Sequence, residues 1–309
     1  MRENRVWYAG DRGFQKMSFV PGSPNNTFTI EIAELEERPF NSIHEVFADH
    51  LKNANLPVEV LYSGGLDSEC VLLSCVQQNI PVIAVTLRIL LKGCALNVID
   101  LYHSEKFCRA HDIKHVVIDL DINKFVDNGD YIKYIDQYQN ANLSAMTILW
   151  LIEQCHSFPV FGGDYTWPLL NVGKLAFSPR SYSHSIYDAF MQDKSIPGIG
   201  NFIGYSTESN RRFLAEHIKI YNRQGNLENL KVQMLENLGF GKLEPRFKSN
   251  GWDLWNGQKH NLDISIVENQ FAKIANPTTN IIKWGKGLAD MIGGVPGENS
   301  ERYYKPVDK

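Results

Sequence analysis

No pair of cysteines in this 309-residue chain has Cys-x-x-Cys spacing, and its five cysteines (Cys70, Cys75, Cys94, Cys108, Cys155) are an odd number. A disulfide framework, a four-cysteine zinc site and a cysteine-held iron–sulfur cluster therefore drop out, and reduced thiols inside a cell fit better. Long apolar runs are also missing. Stretches such as Ile80 to Leu91 are broken by Pro81 and Arg88 and fall short of a membrane span. The start, Met1-Arg2-Glu3-Asn4-Arg5, leads into Val-Trp-Tyr-Ala-Gly-Asp and not into an apolar stretch with a cleavage site, so a cytoplasmic location is expected. The nine histidines show no HxxH or HExxH spacing, which leaves no credible histidine metal site. Neither an internal repeat nor a low-complexity tract is present.

What remains is an ordinary folded-protein composition, with 43% hydrophobic and 21% charged residues, 23 Gly and 13 Pro. The length allows one large or two small domains with a real core. The net charge of −4 argues against bulk electrostatic binding of nucleic acid, but it is unevenly spread. Residues 1–179 carry 14 basic and 21 acidic groups, whereas residues 180–260 carry 11 and 8 and form the only relatively basic segment.

The first 40 residues read as irregular apart from one alternating strand, Thr27 to Leu35. Asn41-Ser42 then precedes Ile43, Val46, Phe47 and Leu51 at helical spacing, which predicts a helix ending near Asn55-Leu56-Pro57. From Val58 the texture changes. Strand-like runs at Val58–Tyr62, Val82–Thr86, His115–Leu120 and Val160–Phe161 alternate with helical periods at Glu69–Gln78, Leu96–His111 and Leu143–Gln154. Strands apolar on both faces, separated by helices, predict an α/β doubly wound parallel sheet covered on two sides. Beyond Ser178 the chain reads as a mostly helical C-terminal region, with helices over 208–221, 227–238 and 262–275. The expected division is a strand-and-helix extension over 1–57, a nucleotide-binding domain over 58–178 and a helical substrate-specificity region over 179–309.

One segment carries chemistry. The strand Val58-Glu59-Val60-Leu61-Tyr62 runs into Ser63-Gly64-Gly65-Leu66-Asp67-Ser68 at a helix start. Successive backbone N–H groups in such a turn, backed by the positive end of a helix dipole, form an anion cradle. Glycines let the backbone approach phosphates, and the Ser63 and Ser68 hydroxyls can donate further bonds. Asp67 conflicts with an anion site unless a cation such as Mg²⁺ bridges carboxylate and phosphates. Capping alone would also favour Ser, Gly and Asp in a strand-to-helix turn, but strand, turn and helix coincide here. Since no Gly-x-x-x-x-Gly-Lys-Ser/Thr occurs, kinase and P-loop ATPase readings fall.

Ser63 to Ser68 resembles the pyrophosphate-binding loop of the N-type ATP pyrophosphatases, the PP-loop superfamily. That resemblance implies the adenine nucleotide alpha hydrolase-like fold, ATP as substrate, and cleavage between its α and β phosphates. A second likeness lies in Phe158-Pro159-Val160-Phe161-Gly162-Gly163-Asp164, which is similar to the strand, turn and acidic residue of asparagine-synthetase-like enzymes, as is the helix preceding it. The resemblance implies that Asp67 and Asp164 hold Mg²⁺ and that Gly162 and Gly163 line the site. It also places adenine at the end of the second strand, at Thr86 and Leu87. For Asp164 an ordinary turn residue is the competing reading. Arg88 either reaches a phosphate or is a solvated strand-end residue.

The likeness is incomplete. No cysteine precedes Cys70, so the glutaminase half of glutamine-dependent asparagine synthetases is not expected in this chain; no cysteine follows Cys155, so sulfur- and zinc-dependent relatives are not expected either. A cation near the α-phosphate would come from the late basic segment. Arg246 and Lys248 in Glu244-Pro245-Arg246-Phe247-Lys248 lead, with Lys174, Arg180, Arg211 and Arg212 competing, and a solvated basic face is the alternative for each. The expectation is an AMP- and pyrophosphate-forming ligase joining a small acid or amide to an amine. A tRNA-lysidine-synthetase-like base modifier and a non-catalytic nucleotide-binding protein are the rivals.

Overall fold

The core strand of the molecule is β4 (Val58–Leu61), buried along its whole length. Its side chains alternate between faces, and each face meets a different core. The computed structural model describes residues 5–11, 15–20, 27–32, 38–134, 143–163, 168–171, 174–177, 180–221, 227–246 and 279–284. Preceding β4 are three strands, β1 (Arg5–Ala9), β2 (Gln15–Val20) and β3 (Thr27–Ile32), and helix α1 (Ile43–Leu51). After it come α2 (Leu66–Gln77), β5 (Val82–Leu91), the short β6 (Cys94–Ala95), α3 (Val98–Ala110), β7 (Lys114–Asp121), α4 (Ile122–Asp127), α5 (Leu143–Gln154) and β8 (Phe158–Phe161). Strands β9 (Pro168–Asn171) and β10 (Lys174–Phe177), then helices α6 (Arg180–Asp193), α7 (Thr207–Tyr221) and α8 (Leu227–Asn237), lead to β11 (Thr279–Trp284).

Four strands run parallel in the order β7-β5-β4-β8, and β6 folds back antiparallel onto the end of β5. The chain therefore winds outward from β4 through β5 to β7 and then returns to the other side of β4 as β8. Such a reversal is a topological switch point, and open α/β sheets bind ligands just beyond the carboxyl ends of the strands that flank it.

Helices cover both faces, as predicted. Leu61, Val85, Leu87 and Ile89 pack with Phe125 of α4, Leu149 of α5 and Phe190 of α6. Val58, Val60 and Tyr62 pack on the other side with Phe47 of α1, Cys70 and Val71 of α2, Phe213 of α7 and Leu235 of α8. Phe47 stacks on Phe213 of α7 with ring centroids 6.4 Å apart, so helices before and after the parallel sheet share one core.

Several elements differ from expectation. Within the first 40 residues, where one strand was expected, the described residues hold three: β1, β2 and β3 form an antiparallel meander. Nor do strands stop at Ser178, because β11 pairs parallel with β3, from Thr279 opposite Thr27 to Trp284 opposite Ile32. A pairing between segments so far apart in the chain leaves no local signature, which is why a six-residue strand was missed. The β9–β10 hairpin and α6 were likewise not anticipated; α6 buries Ile186, Tyr187, Phe190 and Met191 at helical spacing within a polar sequence. Helix α1 ends at Leu51, before the expected stop. Strand β5 continues to Leu91, past the end of β4, paired with β7 and at its end with β6, while the Asn97 side chain occupies the edge that β4 leaves. Asn97 Nδ2 donates to Leu87 O at 2.8 Å and its Oδ1 accepts from Ile89 N at 3.0 Å. The helix expected over 262–275 lies outside the described residues.

Glu59 shows how β4 is tied to β8 from below. Its buried Oε2 accepts from the backbone N–H groups of His156 and Ser157, at 2.8 and 2.9 Å, at the turn that leads into β8. Removing that acceptor strands two donors in a partly buried turn. Glu59→Ala is expected to lower the free energy of unfolding by about 2 kcal/mol, read from the urea midpoint; an unchanged midpoint would show that the turn holds without it.

Candidate functional site

Beyond β4 the backbone reverses through Ser63, Gly64 and Gly65 into α2. Gly64 has φ +71, and a Cβ there would lie 2.6 Å from the carbonyl oxygen of Asp100 at the start of α3. Both facts require glycine. Gly65 caps α2 in an extended conformation with no side-chain capping bond, and the first helical bond runs from Glu69 N to Gly65 O at 3.1 Å. The first N–H groups of a helix lack intrahelical partners and carry the positive end of its dipole. Here they open at the switch point. Ser68 Oγ donates to Gly65 O at 3.2 Å, which closes the first turn.

The turn after β8 packs directly against this one. A Cβ on Gly162 would meet Ser68 N at 2.9 Å, and one on Gly163 (φ +71) would meet Asn201 Oδ1 at 2.0 Å. Residues 199–204 run beside β8, with Phe202 N donating to Phe161 O and Ile203 N to Gly162 O, each at 3.0 Å. Behind them Asp188 Oδ1 accepts from Gly200 N at 2.7 Å. Burial pushes the Asp188 carboxyl up to about 7, partly offset by that bond.

A buried polar chain locks the first turn from the side of α2. Tyr62 OH donates to Glu69 Oε2 at 2.8 Å, and Arg246 Nη2 donates to Glu69 Oε1 at 2.6 Å. Arg246 Nη1 also donates to Gly64 O at 3.2 Å. The Arg246 and Glu69 side chains are only 11% and 4% exposed. Burial alone would lower the guanidinium's proton affinity, but Glu69 outweighs it and the pKa rises. His103 of α3 lies against Gly64. Burial first, then the nearby Arg246 and Lys106 cations, depress its imidazole below its ordinary range, so it is neutral at pH 7.

Asp67 sits in the first turn of α2 and accepts through Oδ2 from Lys231 Nζ of α8 at 2.7 Å. Its Oδ1 is buried without a hydrogen-bond partner. An unpartnered buried carboxylate oxygen beside an anion cradle suits a divalent cation. Among the described residues no group of three or more His, Cys, Asp and Glu is placed to hold a metal. Among the described residues Asp67 Oδ1 is the protein oxygen here open to a cation, and Mg²⁺ habitually completes its shell with further oxygen ligands.

Of the residues singled out in the sequence, Ser63, Gly64, Gly65, Leu66, Asp67, Ser68, Gly162 and Gly163 therefore come together. Thr86 and Leu87 follow on β5. Thr86 Oγ1 donates to Tyr62 O at 2.7 Å and meets His115 Nε2 at 2.8 Å, so its side chain is a bolt between strand ends. Arg88 does not reach the site. It forms an exposed bidentate pair with Asp119, the residue opposite it on β7, at 2.6 and 2.7 Å. Arg246 arrives at the loop bonded to Glu69 and a carbonyl, and Arg212 Nη2 donates to Phe40 O. Asp164 and Lys248, and the side chains of Lys174 and Arg180, lie outside what is described. Sequence reading missed Lys231, Glu69, His103 and Asn201. Glu69 was legible as a second acid in the first turn of α2; Lys231 and Asn201 carried no local signal.

No protein-family model matches the chain, and no curated protein matches it significantly. Among solved structures, a predicted subunit of tRNA methyltransferase from Methanocaldococcus jannaschii is 19% identical, covering 62% of this chain and 93% of that one at a TM-score of 0.29. An NH3-dependent NAD synthetase from Campylobacter jejuni is 15% identical, over 67% and 96% of the two chains, at 0.29. NMN synthetase from Francisella tularensis is 13% identical, over 69% and 100%, at 0.26. Superpositions this loose decide neither fold nor chemistry, which rest on the register, burial and contacts above.

Two outcomes test the scaffold of the site. Arg246→Ala leaves the Glu69 carboxylate buried without its cation and is expected to cost about 3 kcal/mol of stability in chemical denaturation, with Lys recovering only part because it cannot bond Glu69 and Gly64 together. For Asp188, the unfolded chain releases its proton near 3.8 while the folded chain holds it to about 7. Stability contributed by this group is therefore full below the lower value and is lost as pH rises through the upper one. Asp188→Asn, which keeps an acceptor for Gly200, should flatten that slope; an identical pH profile would contradict the assignment.

Proposed function

We propose that this chain is an ATP-dependent ligase of the PP-loop kind, similar to the synthetase part of an asparagine synthetase. It adenylates an oxygen of a small acid or amide, releases pyrophosphate, and passes the activated group to an amine with loss of AMP, forming an amide from an acid or an amidine from an amide. The observation that carries this reading is the contact of the two glycine turns at the switch point. At Gly162 only a hydrogen fits against the Ser68 amide, and the N-terminus of α2 faces the same place.

In this reading the N–H groups of the Ser63–Ser68 turn hold the β and γ phosphates as they become pyrophosphate, with the Ser63 hydroxyl and the Ser68 hydroxyl, the latter turning away from Gly65 O to donate. Preorganised donors of this kind act on charge that builds on the leaving group. Adenine lies toward Thr86 and Leu87. Asp67, together with Asp164, holds Mg²⁺, which when bound neutralises phosphate charge. Arg246 serves as a positioning residue that fixes the loop through Glu69 and Gly64 O, and Lys248 is left as the late cation for the α-phosphate. Residues 58–178 bind nucleotide and residues 179–309 select the acceptor. The departing AMP is a good leaving group, so the attacking amine needs only to lose a proton. Among the described residues no helix is long and apolar enough to cross a membrane, and a cytoplasmic small-molecule enzyme is the proposed setting.

The test is exchange of labelled pyrophosphate into ATP with Mg²⁺ and a panel of carboxylic acids and amides. Wild-type protein should catalyse exchange with at least one acceptor, and Asp67→Ala should reduce it by roughly a hundredfold. Exchange unaffected by that substitution would sink the proposal.

A further inference from the structure

Lys231 is the feature that sequence reading did not absorb and the proposed reaction does not by itself require. Its ammonium sits 2.7 Å from Asp67 Oδ2, reached from α8 across 164 residues of chain. Neither side chain is on the open surface, at 22% exposed for Lys231 and 28% for Asp67. The other Asp67 oxygen, Oδ1, is buried and unpartnered. One carboxylate thus has one oxygen on an internal cation and one oxygen vacant beside a row of helix N–H groups.

Two cations close to a single carboxylate repel each other unless anionic charge arrives with the second. A divalent ion entering at Oδ1 without nucleotide would face the Lys231 ammonium across one carboxyl group. A polyphosphate entering the cradle changes that balance, because it offers the ammonium an anion of higher charge a few ångströms away. We propose that Lys231 is a built-in counterion which a divalent cation must displace from Asp67, and that the displaced ammonium is received by the polyphosphate. Metal and nucleotide then bind as a unit. This inference rests on the nucleotide-binding reading of the same loop for its second half only; the competition at Asp67 stands on the ion pair and the vacant oxygen.

The experiment titrates Mn²⁺ alone, without nucleotide, into the full chain, followed by water-proton relaxation or calorimetry. Lys231→Met should bind Mn²⁺ roughly tenfold more tightly than wild type. Lys231→Gln should do the same, so the result does not hang on how one variant folds. Lys231→Arg, which keeps the charge, should stay near wild type, and adding Asp67→Asn to Lys231→Met should abolish the gain. In steady-state exchange, Lys231→Met should raise the KM for ATP while lowering the Mg²⁺ concentration needed for half-maximal rate. A merely structural lesion weakens both together. Equal Mn²⁺ affinity in wild type and both neutral variants would overturn the proposal, even if exchange activity is present. Tighter Mn²⁺ binding in a chain that shows no exchange with any acceptor would uphold the competition and remove the ligase reading instead.

Discussion

The parallel pairing of β4 with β8, from Val58 opposite Phe158 to Leu61 opposite Phe161, sets everything that follows. It places two strand ends side by side at the point where the winding of the sheet reverses. The turns that leave those ends must then share one space, and they do so only because Gly162 has no side chain to strike Ser68. The pairing itself is supported at both ends of the strands. Glu59 gathers the N–H groups of His156 and Ser157 at the entry, and residues 199–204 extend the hydrogen bonding past the exit of β8.

Around that junction the polar groups are deployed in two layers of different purpose. The inner layer is backbone: the Gly64–Gly65 turn that opens into α2 and the Gly162–Gly163 turn, each with two residues that carry no side chain. The outer layer is charged and holds the inner one still. Tyr62, Glu69 and Arg246 form a continuous chain from the end of β4 to the segment after α8. A buried ion pair adds little net stability, but breaking one is costly. Its value here is that the carbonyl of Gly64 is gripped by the same guanidinium, which fixes the direction of the neighbouring amides. Lys231 closes the arrangement from α8 by neutralising Asp67.

What could be read in the sequence was what is local. The alternation of apolar strands and helices from Val58 to Phe161 was legible because the central strand β4 is buried throughout and its neighbours are apolar, and the Ser63–Ser68 turn because strand end, glycines and helix start are contiguous. The partners of that turn were not legible. Arg246 meets Glu69 across 177 residues, and nothing in the surrounding residues distinguishes it from a solvated arginine. Arg88 failed for the converse reason: a cation at a strand end invites a phosphate, yet Asp119 stands opposite it in the next strand. The pairing of β11 with β3 joins the two ends of the chain, a register that no window of sequence contains. Thr86 stands on β5 beside the end of β4, and its hydroxyl is taken up by Tyr62 O and His115.

The central claim is that the Ser63–Ser68 turn receives the phosphates of ATP. A crystal structure of the full chain with Mg²⁺ and an ATP analogue that cannot be cleaved between its α and β phosphates tests it most directly. The account predicts the β and γ phosphates on the backbone amides of the turn, the adenine toward Thr86 and Leu87, and the Lys231 ammonium off Asp67 and on the polyphosphate. A nucleotide bound elsewhere, or a turn left empty at saturating analogue with Lys231 still on Asp67, would contradict it.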